Sequence, residues 1–169
     1  PAAPLRLIHG VWTELPPEHD FADPAWNGEF IAEARRVVDL VHGRADLPPR
    51  PGHASGFYTA DVSAWTLAYL IGREWEPYAV AAFDSTNPGR RAWSGRYLRV
   101  AGGTATDVWL TQVCDTLIAY ETAAYRHQRP VAYTSWPTLD PLTHVTEASV
   151  AEETALRRSA GERREALIH

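Results

Sequence analysis

The feature that most constrains the fold is the stretch 65–77, an apolar run that ends abruptly in Gly-Arg-Glu-Trp-Glu-Pro. A continuous apolar run of this length, bounded by glycine, charged residues and proline, is typical of a buried strand. The strand is predicted over residues 65–72, so that Arg73 and Glu74 lie where it leaves the core. A carboxylate at the end of a buried strand is a common position for a catalytic group, and Glu74 is the first candidate.

Two further apolar runs predict strands, at residues 5–12 and 131–136. The Pro- and Gly-rich segment 46–56 and the segment 83–103 are predicted as loops, the second of them unusually long for a connection in a compact domain. Each predicted strand is followed by a polar exit loop.

Helices are predicted between these strands. Asp23 followed by Pro24 is an N-cap with a first-turn proline, and the apolar residues that follow recur at helical spacing as far as Gly43. Thr104 with Asp107 three positions later is a capping-box variant, which predicts a long helix to about residue 128. Three strands alternating with helices predict an α/β domain with a parallel sheet.

Composition limits the class of protein. The chain has 169 residues, is 45% hydrophobic and carries a formal net charge of −5, which fits one domain of ordinary size. No basic run exceeds two residues, so nucleic acid is not a predicted partner, and no apolar run is long enough to predict a membrane span. The single cysteine, Cys114, permits no intrachain disulfide and is predicted to pack on a helix as a small hydrophobe.

No metal or cofactor is predicted. The seven histidines lack the short pairings of a zinc motif, and the sequence contains no phosphate-binding loop. Nothing in the sequence sets the cellular compartment. The chain has no methionine and opens at Pro1 beside an apolar strand, a pattern that predicts a piece cut from a longer protein.

A resemblance to a known group is carried by five segments, at residues 38–43, 50–56, 61–65, 72–77 and 135–144. They resemble a TIM-barrel domain of large, poorly characterised bacterial proteins, which is similar to the clan A glycoside hydrolases and particularly to the family of the β-galactosidases and β-glucuronidases. The resemblance covers most of residues 4–153 and implies that residues 1–146 are the central portion of a (β/α) barrel, with residues 147–169 a charged helical tail or linker. A whole eight-stranded barrel needs roughly 200 residues or more, so three strands make only part of one.

The resemblance also implies roles for residues. Glu74 matches the general acid/base at the end of the fourth barrel strand, while Arg73 stands where those hydrolases usually have an asparagine that holds the sugar 2-hydroxyl. The nucleophile, on the seventh strand, would lie beyond His169. The alternative for Glu74 is a buried ion pair with Arg73 or another arginine. Glu76 lies on the same side of an extended backbone, as a second carboxylate or, more commonly, as a solvated loop acid.

Further substrate-binding candidates follow the strands. Glu14 and Asp140 are predicted either to bind sugar hydroxyls or to cap loops, and His144 either to bind substrate or to be an ordinary loop histidine. Aromatic rings near strand ends stack on sugar rings or fill the core. These aromatic candidates are Trp12, Trp75, Tyr133 and Trp136.

The sequence therefore predicts a carbohydrate-active domain, a glycoside hydrolase or transglycosylase acting on a polysaccharide or oligosaccharide. The rival hypothesis is a non-catalytic carbohydrate-binding or scaffold domain. A third is an inactive truncated piece whose apolar edges bind the rest of the parent polypeptide or a second copy. The sugar, its linkage and the retaining or inverting outcome stay open.

Overall fold

The computed structural model describes residues 5–139, 142 and 144–155. Short 3₁₀ turns occupy residues 17–19, 63–65 and 137–139. Residues 150–155 of the predicted tail are helical, and the rest of that prediction lies outside the described residues. In chain order the main elements are β1 (Leu7–Val11), α1 (Pro24–Val41), β2 (Ala45–Leu47), β3 (Gly56–Tyr58), β4 (Thr66–Trp75), α2 (Pro77–Thr86), β5 (Ala92–Ser94), β6 (Arg99–Ala101), α3 (Ala105–Tyr125) and β7 (Val131–Ser135).

The three predicted apolar strands form one parallel sheet in the order β1, β4, β7. The central strand β4 pairs with both neighbours, so that Ile71 lies between Val11 and Tyr133. Since each strand is joined to the next through at least one helix, the prediction of an α/β fold with about three parallel strands alternating with helices is confirmed.

The helices pack on one face of this sheet. Val11, Tyr69, Ile71 and Trp75 point from the strands into a core that all three helices complete. Nearly all parallel crossovers are right-handed, and both crossovers here step across the sheet in the same direction, so their helices lie on the same side. On the other face Ile8 is exposed, and no described element covers it.

Local signals set the helix starts as predicted. The Asp23 carboxylate accepts the backbone N–H of Trp26 at 2.7 Å, with Pro24 in the first turn of α1. Thr104 and Asp107 form a reciprocal capping box at the start of α3. Both arrangements satisfy backbone donors that have no partner within the helix.

Two segments predicted as loops contain regular structure. Residues 46–56 mostly form the connection between β2 and β3, which pair antiparallel at its two ends, and residues 83–103 hold the end of α2 and the hairpin β5–β6. The hairpin is attached by Asp115 of α3, whose carboxylate accepts three successive backbone N–H groups at residues 96–98. These strands are only three residues long, too short for an alternation of apolar residues to show.

A buried ionic cluster lies at the amino end of β4. Glu121 of α3 accepts hydrogen bonds from His42, Tyr69 and Arg129. Arg129 also donates to the backbone carbonyls of Ser63 and Thr66. Burial, and then the charge of Glu121, raise the pKa of Tyr69. The cluster thus ties α1, α3 and β4 together at the edge of the sheet that faces away from Glu74.

Cys114 is buried on α3, as predicted, and burial raises the pKa of its thiol to about 11. We expect a disulfide reagent such as 5,5′-dithiobis(2-nitrobenzoate) at pH 8 to label the folded chain about 100-fold more slowly than the chain in guanidinium, because only the thiolate reacts. Equal rates in the two conditions would show that the thiol is not buried. No helix in the described ranges is long and apolar enough to cross a membrane.

Candidate functional site

The carboxyl ends of the three parallel strands meet at one edge of the sheet, which we call the carboxyl edge. Arg73 and Glu74 lie at the end of the central strand, while Trp12 directly follows β1 and Trp136 directly follows β7. Two strand spacings separate the flanking strands, roughly 10 Å. The edge therefore combines a charged centre with an aromatic residue on either side, in the position where open α/β sheets and barrels bind ligands.

A bulge shapes the end of β4. Ile71 pairs with Tyr133 and Trp75 with Ser135, so three residues of β4 lie opposite one residue of β7. Gly72 makes the bend with φ +74°, and a Cβ built there would lie 1.9 Å from the indole of Trp75. Bulges next to active sites redirect side chains. Here Trp75 enters the core and Glu74 is exposed to solvent.

Arg73 joins three elements at this edge. Its Nη1 donates to Glu14 Oε2 at 3.1 Å, and its Nη2 donates to Glu76 Oε1 at 2.7 Å. The guanidinium carbon also lies 5.5 Å from the ring centroid of Trp12, in cation–π geometry. The loop after β1, the end of β4 and the start of α2 are thereby held by one side chain.

Glu76 is buried, which corrects the expectation of a solvated loop acid: its side chain is 9% exposed. It is the N-cap residue of α2, where the helix dipole favours a negative charge. Among the described residues its Oε2 atom, also buried, has no hydrogen-bond partner. The sequence signal for this pair was that Glu76 follows Arg73 by three positions. In the structure those positions span the end of β4 and the start of α2.

The Glu74 side chain forms no hydrogen bond or ion pair within the part of the chain that the structure describes. The ion pair with Arg73 weighed as its alternative role is absent, because that arginine bonds Glu14 and Glu76 instead. Glu74 is thus an exposed carboxylate beside an arginine whose two terminal nitrogens are already engaged.

The other predicted residues fall in different places. Trp75 is 1% exposed and packs edge-on against Phe21 and Trp109, so its ring faces are covered in this structure. Trp12 is 66% exposed, and Trp136 is half-buried. His144 is half-buried beyond β7, and Asp140 lies outside the described residues.

Tyr133 lies away from the carboxyl edge. It lines a groove of about 400 Å³ between β7, α3 and the β5–β6 hairpin, together with Asp107 and Cys114. Burial, and then the nearby Asp107 and Cys114, raise the pKa of its hydroxyl. The structure therefore does not bring Tyr133 together with Arg73 and Glu74.

The loop after β1 carries a feature that sequence reasoning missed. Glu18 and His19 adopt left-handed backbone conformations, with φ of 50° and 56°. The His19 ring packs edge-on against Tyr78 in the first turn of α2, with centroids 5.1 Å apart. Such strained residues cost of order 1 kcal/mol or more and cluster at functional sites. No local motif marks them, since neither residue is a glycine or an asparagine.

The described residues contain no group of three or more histidine, cysteine or acidic side chains arranged to hold a metal ion. Comparison with protein-family models, with curated proteins and with solved structures finds no match to this chain.

Proposed function

We propose that this chain carries the acid/base portion of a carbohydrate-active (β/α) barrel, a glycoside hydrolase or transglycosylase that acts on a polysaccharide or oligosaccharide. The observation that carries the proposal is the exposed Glu74 carboxylate at the carboxyl end of the central parallel strand, which has no hydrogen-bond partner among the described residues. General acid/base catalysis in glycoside hydrolysis requires a carboxyl group that reaches the glycosidic oxygen, and a solvent-facing position at a strand end provides that access.

The winding of the chain is that expected for part of a barrel. Strands that follow one another along the chain are neighbours in the sheet, and α1, α2 and α3 share one face. A barrel keeps all its helices outside, and one half of a doubly wound sheet winds in the same way, so the choice of a barrel rests on the resemblance. In this proposal the uncovered face, with Ile8 at its amino end, is the barrel interior.

Trp12 supports a sugar as the ligand. Its ring is largely exposed and is backed on one side by the Arg73 guanidinium. An indole fixed in this way offers an apolar face at low cost in conformational entropy, and an apolar face is what a pyranose ring requires for stacking.

Hydrolysis needs a second carboxylate, and the described residues restrict the choice. Glu14 and Glu76 are both bonded to Arg73, so neither is free as an attacking group in this arrangement. We assign to Glu74 the transfer of a proton to or from the glycosidic oxygen. The second carboxylate is assigned, as the resemblance implies, to the seventh strand of the barrel.

The second candidate function is non-catalytic carbohydrate binding. It is favoured by Arg73, which stands at the usual asparagine position and is held by two carboxylates rather than left free for a sugar hydroxyl. The two functions share Trp12 and differ only in what Glu74 does.

Binding and turnover distinguish them. Calorimetric titration with a panel of neutral oligosaccharides is expected to show that Trp12→Ala binds about tenfold more weakly, because one stacking face is lost. Phe57→Ala is the matched control, since Phe57 is an exposed aromatic residue on β3 and should not change binding. Equal weakening of oligosaccharide binding in both variants would indicate nonspecific binding to exposed aromatic rings.

Turnover of unactivated oligosaccharides is then measured for a complete barrel that contains this chain, because hydrolysis needs both carboxylates. Glu74→Gln is expected to lower it by about 10²–10⁴-fold, the usual contribution of a general acid, while binding is retained. Binding by the unaltered complete barrel without turnover would support the non-catalytic function. No binding to any member of the panel would overturn both candidates.

A further inference from the structure

We propose that the carboxyl edge selects uncharged sugar units and rejects uronic acid units, with Arg73 and its two carboxylate partners as the specificity-determining group. This inference rests on the proposed function and names its substrate class. It is carried by the hydrogen bonds of Arg73, by the charges around it and by the kind of hydrogen-bonding group the edge presents.

Arg73 is the natural receptor for a carboxylate at this edge, since a guanidinium binds carboxylates with two parallel hydrogen bonds. Both of its terminal nitrogens are already engaged, Nη1 by Glu14 and Nη2 by Glu76. One face of the guanidinium lies over the ring of Trp12. A uronic acid that bonded both terminal nitrogens end-on would have to displace the glutamates. Any N–H group left free belongs to a guanidinium whose charge two carboxylates already balance.

Displacing Glu76 is costly. Its side chain is almost fully buried, and breaking its bond to Arg73 would leave a buried carboxylate without a partner. Glu14 is the replaceable partner, since its side chain is 86% exposed. Yet a displaced Glu14 would stay tethered at the same edge, and its charge would still oppose an incoming carboxylate.

The surrounding charges add to this opposition. The loop 12–23 carries no arginine or lysine, and β4 adds Glu74, which has no ion-pair partner among the described residues. The acidic residues of that loop are Glu14, Glu18, Asp20 and Asp23. In the described part of this edge, acidic groups thus outnumber the single guanidinium. An anionic sugar meets net repulsion, which weakens with salt because most of these groups are solvent-exposed.

Hydrogen-bond chemistry points the same way. The exposed Glu74 carboxylate has no donor among the described residues, and an ionised carboxylate only accepts hydrogen bonds. A sugar hydroxymethyl group donates a hydrogen bond, whereas an ionised carboxylate at the same carbon does not. The neutral sugar therefore complements this edge and the uronic acid does not.

The test compares neutral oligosaccharides with their C6-oxidised forms, in which only the hydroxymethyl group has become a carboxylate. The probes are β-1,4-linked gluco-, galacto- and manno-oligosaccharides and the oxidised form of each. At low ionic strength we expect every oxidised form to bind at least about tenfold more weakly than its parent. The reason is that several exposed negative charges each weaken its binding severalfold.

Glu14→Gln should reduce the ratio of neutral to oxidised binding by about threefold, because it removes one negative charge beside Arg73. Glu33→Gln on α1 removes the same net charge from a pair with Arg36 and is the control. Equal or tighter binding of the oxidised forms would overturn the inference while leaving carbohydrate binding intact. An equal change in the Glu33 variant would also overturn it, since net charge alone would then account for the selectivity. If neither the neutral nor the oxidised probes bind, the proposed function itself is overturned, and so is the inference that rests on it.

Discussion

Glu121→Ala is expected to lower the free energy of unfolding by about 3–5 kcal/mol, because it removes the common acceptor of a buried ionic cluster. Glu121 is 1% exposed and accepts from His42 and Tyr69 at 2.9 Å each, as well as from Arg129. Without it the Arg129 guanidinium stays buried with two backbone carbonyls and the His42 ring as partners, and with no carboxylate to balance its charge. A loss of this size is a large fraction of the stability of an ordinary domain, so partial unfolding at room temperature is expected.

Urea unfolding followed by tryptophan fluorescence measures this loss. Glu33→Ala is the matched control, because Glu33 also pairs with an arginine, Arg36, but in a position where both side chains are more than a third exposed. Its effect should stay below about 1 kcal/mol, as for most surface ion pairs. Similar losses in the two variants would mean that Glu121 is solvated in solution.

Gly72→Ala is expected to destabilise the fold by about 2–4 kcal/mol, from a left-handed backbone conformation and a steric overlap acting together. The φ of +74° is costly for any residue with a Cβ, and the new methyl group would overlap the indole of Trp75. Because Trp75 is fixed in the core, relief must come from the bulge, and Glu74 would then move. Oligosaccharide turnover should therefore fall by more than the loss of folded protein explains.

Two other glycines separate the causes of this effect. Gly52 has a similar φ of +76° with open space around its Cβ, so Gly52→Ala should cost only about 1–2 kcal/mol, the conformational part. Gly28 lies within α1 with nothing near its Cβ, and Gly28→Ala should instead stabilise by about 0.5–1 kcal/mol. A Gly72 variant no worse than the Gly52 variant would show that Trp75 has room to move.

The elements predicted well were those with strong local signals. Asp23 with Pro24 and Thr104 with Asp107 marked the starts of the two long helices, since a cap acts within four residues of its partner. The three apolar runs were found for the same reason. The short hairpins β2–β3 and β5–β6 were missed because three-residue strands carry no periodicity.

The candidate site was predicted in part. The sequence placed Trp12, Arg73 and Glu74 at strand ends, and the parallel sheet brings them to one edge. It did not distinguish Trp12 from Trp75, although one is exposed and the other belongs to the core. That difference comes from the bulge at Gly72, which needs the pairing of β4 with β7 to be known.

By itself the sequence determined the number of parallel strands, the starts of α1 and α3 and the α/β class, because apolar runs and caps act over a few neighbouring residues. The tertiary structure alone decided which charges meet. Arg73 reaches Glu14 from 59 residues away and Glu121 reaches His42 from 79 residues away. Such pairs form only once the strand register and helix packing bring distant segments together, and the free energy of burying them depends on the surrounding core rather than on either residue.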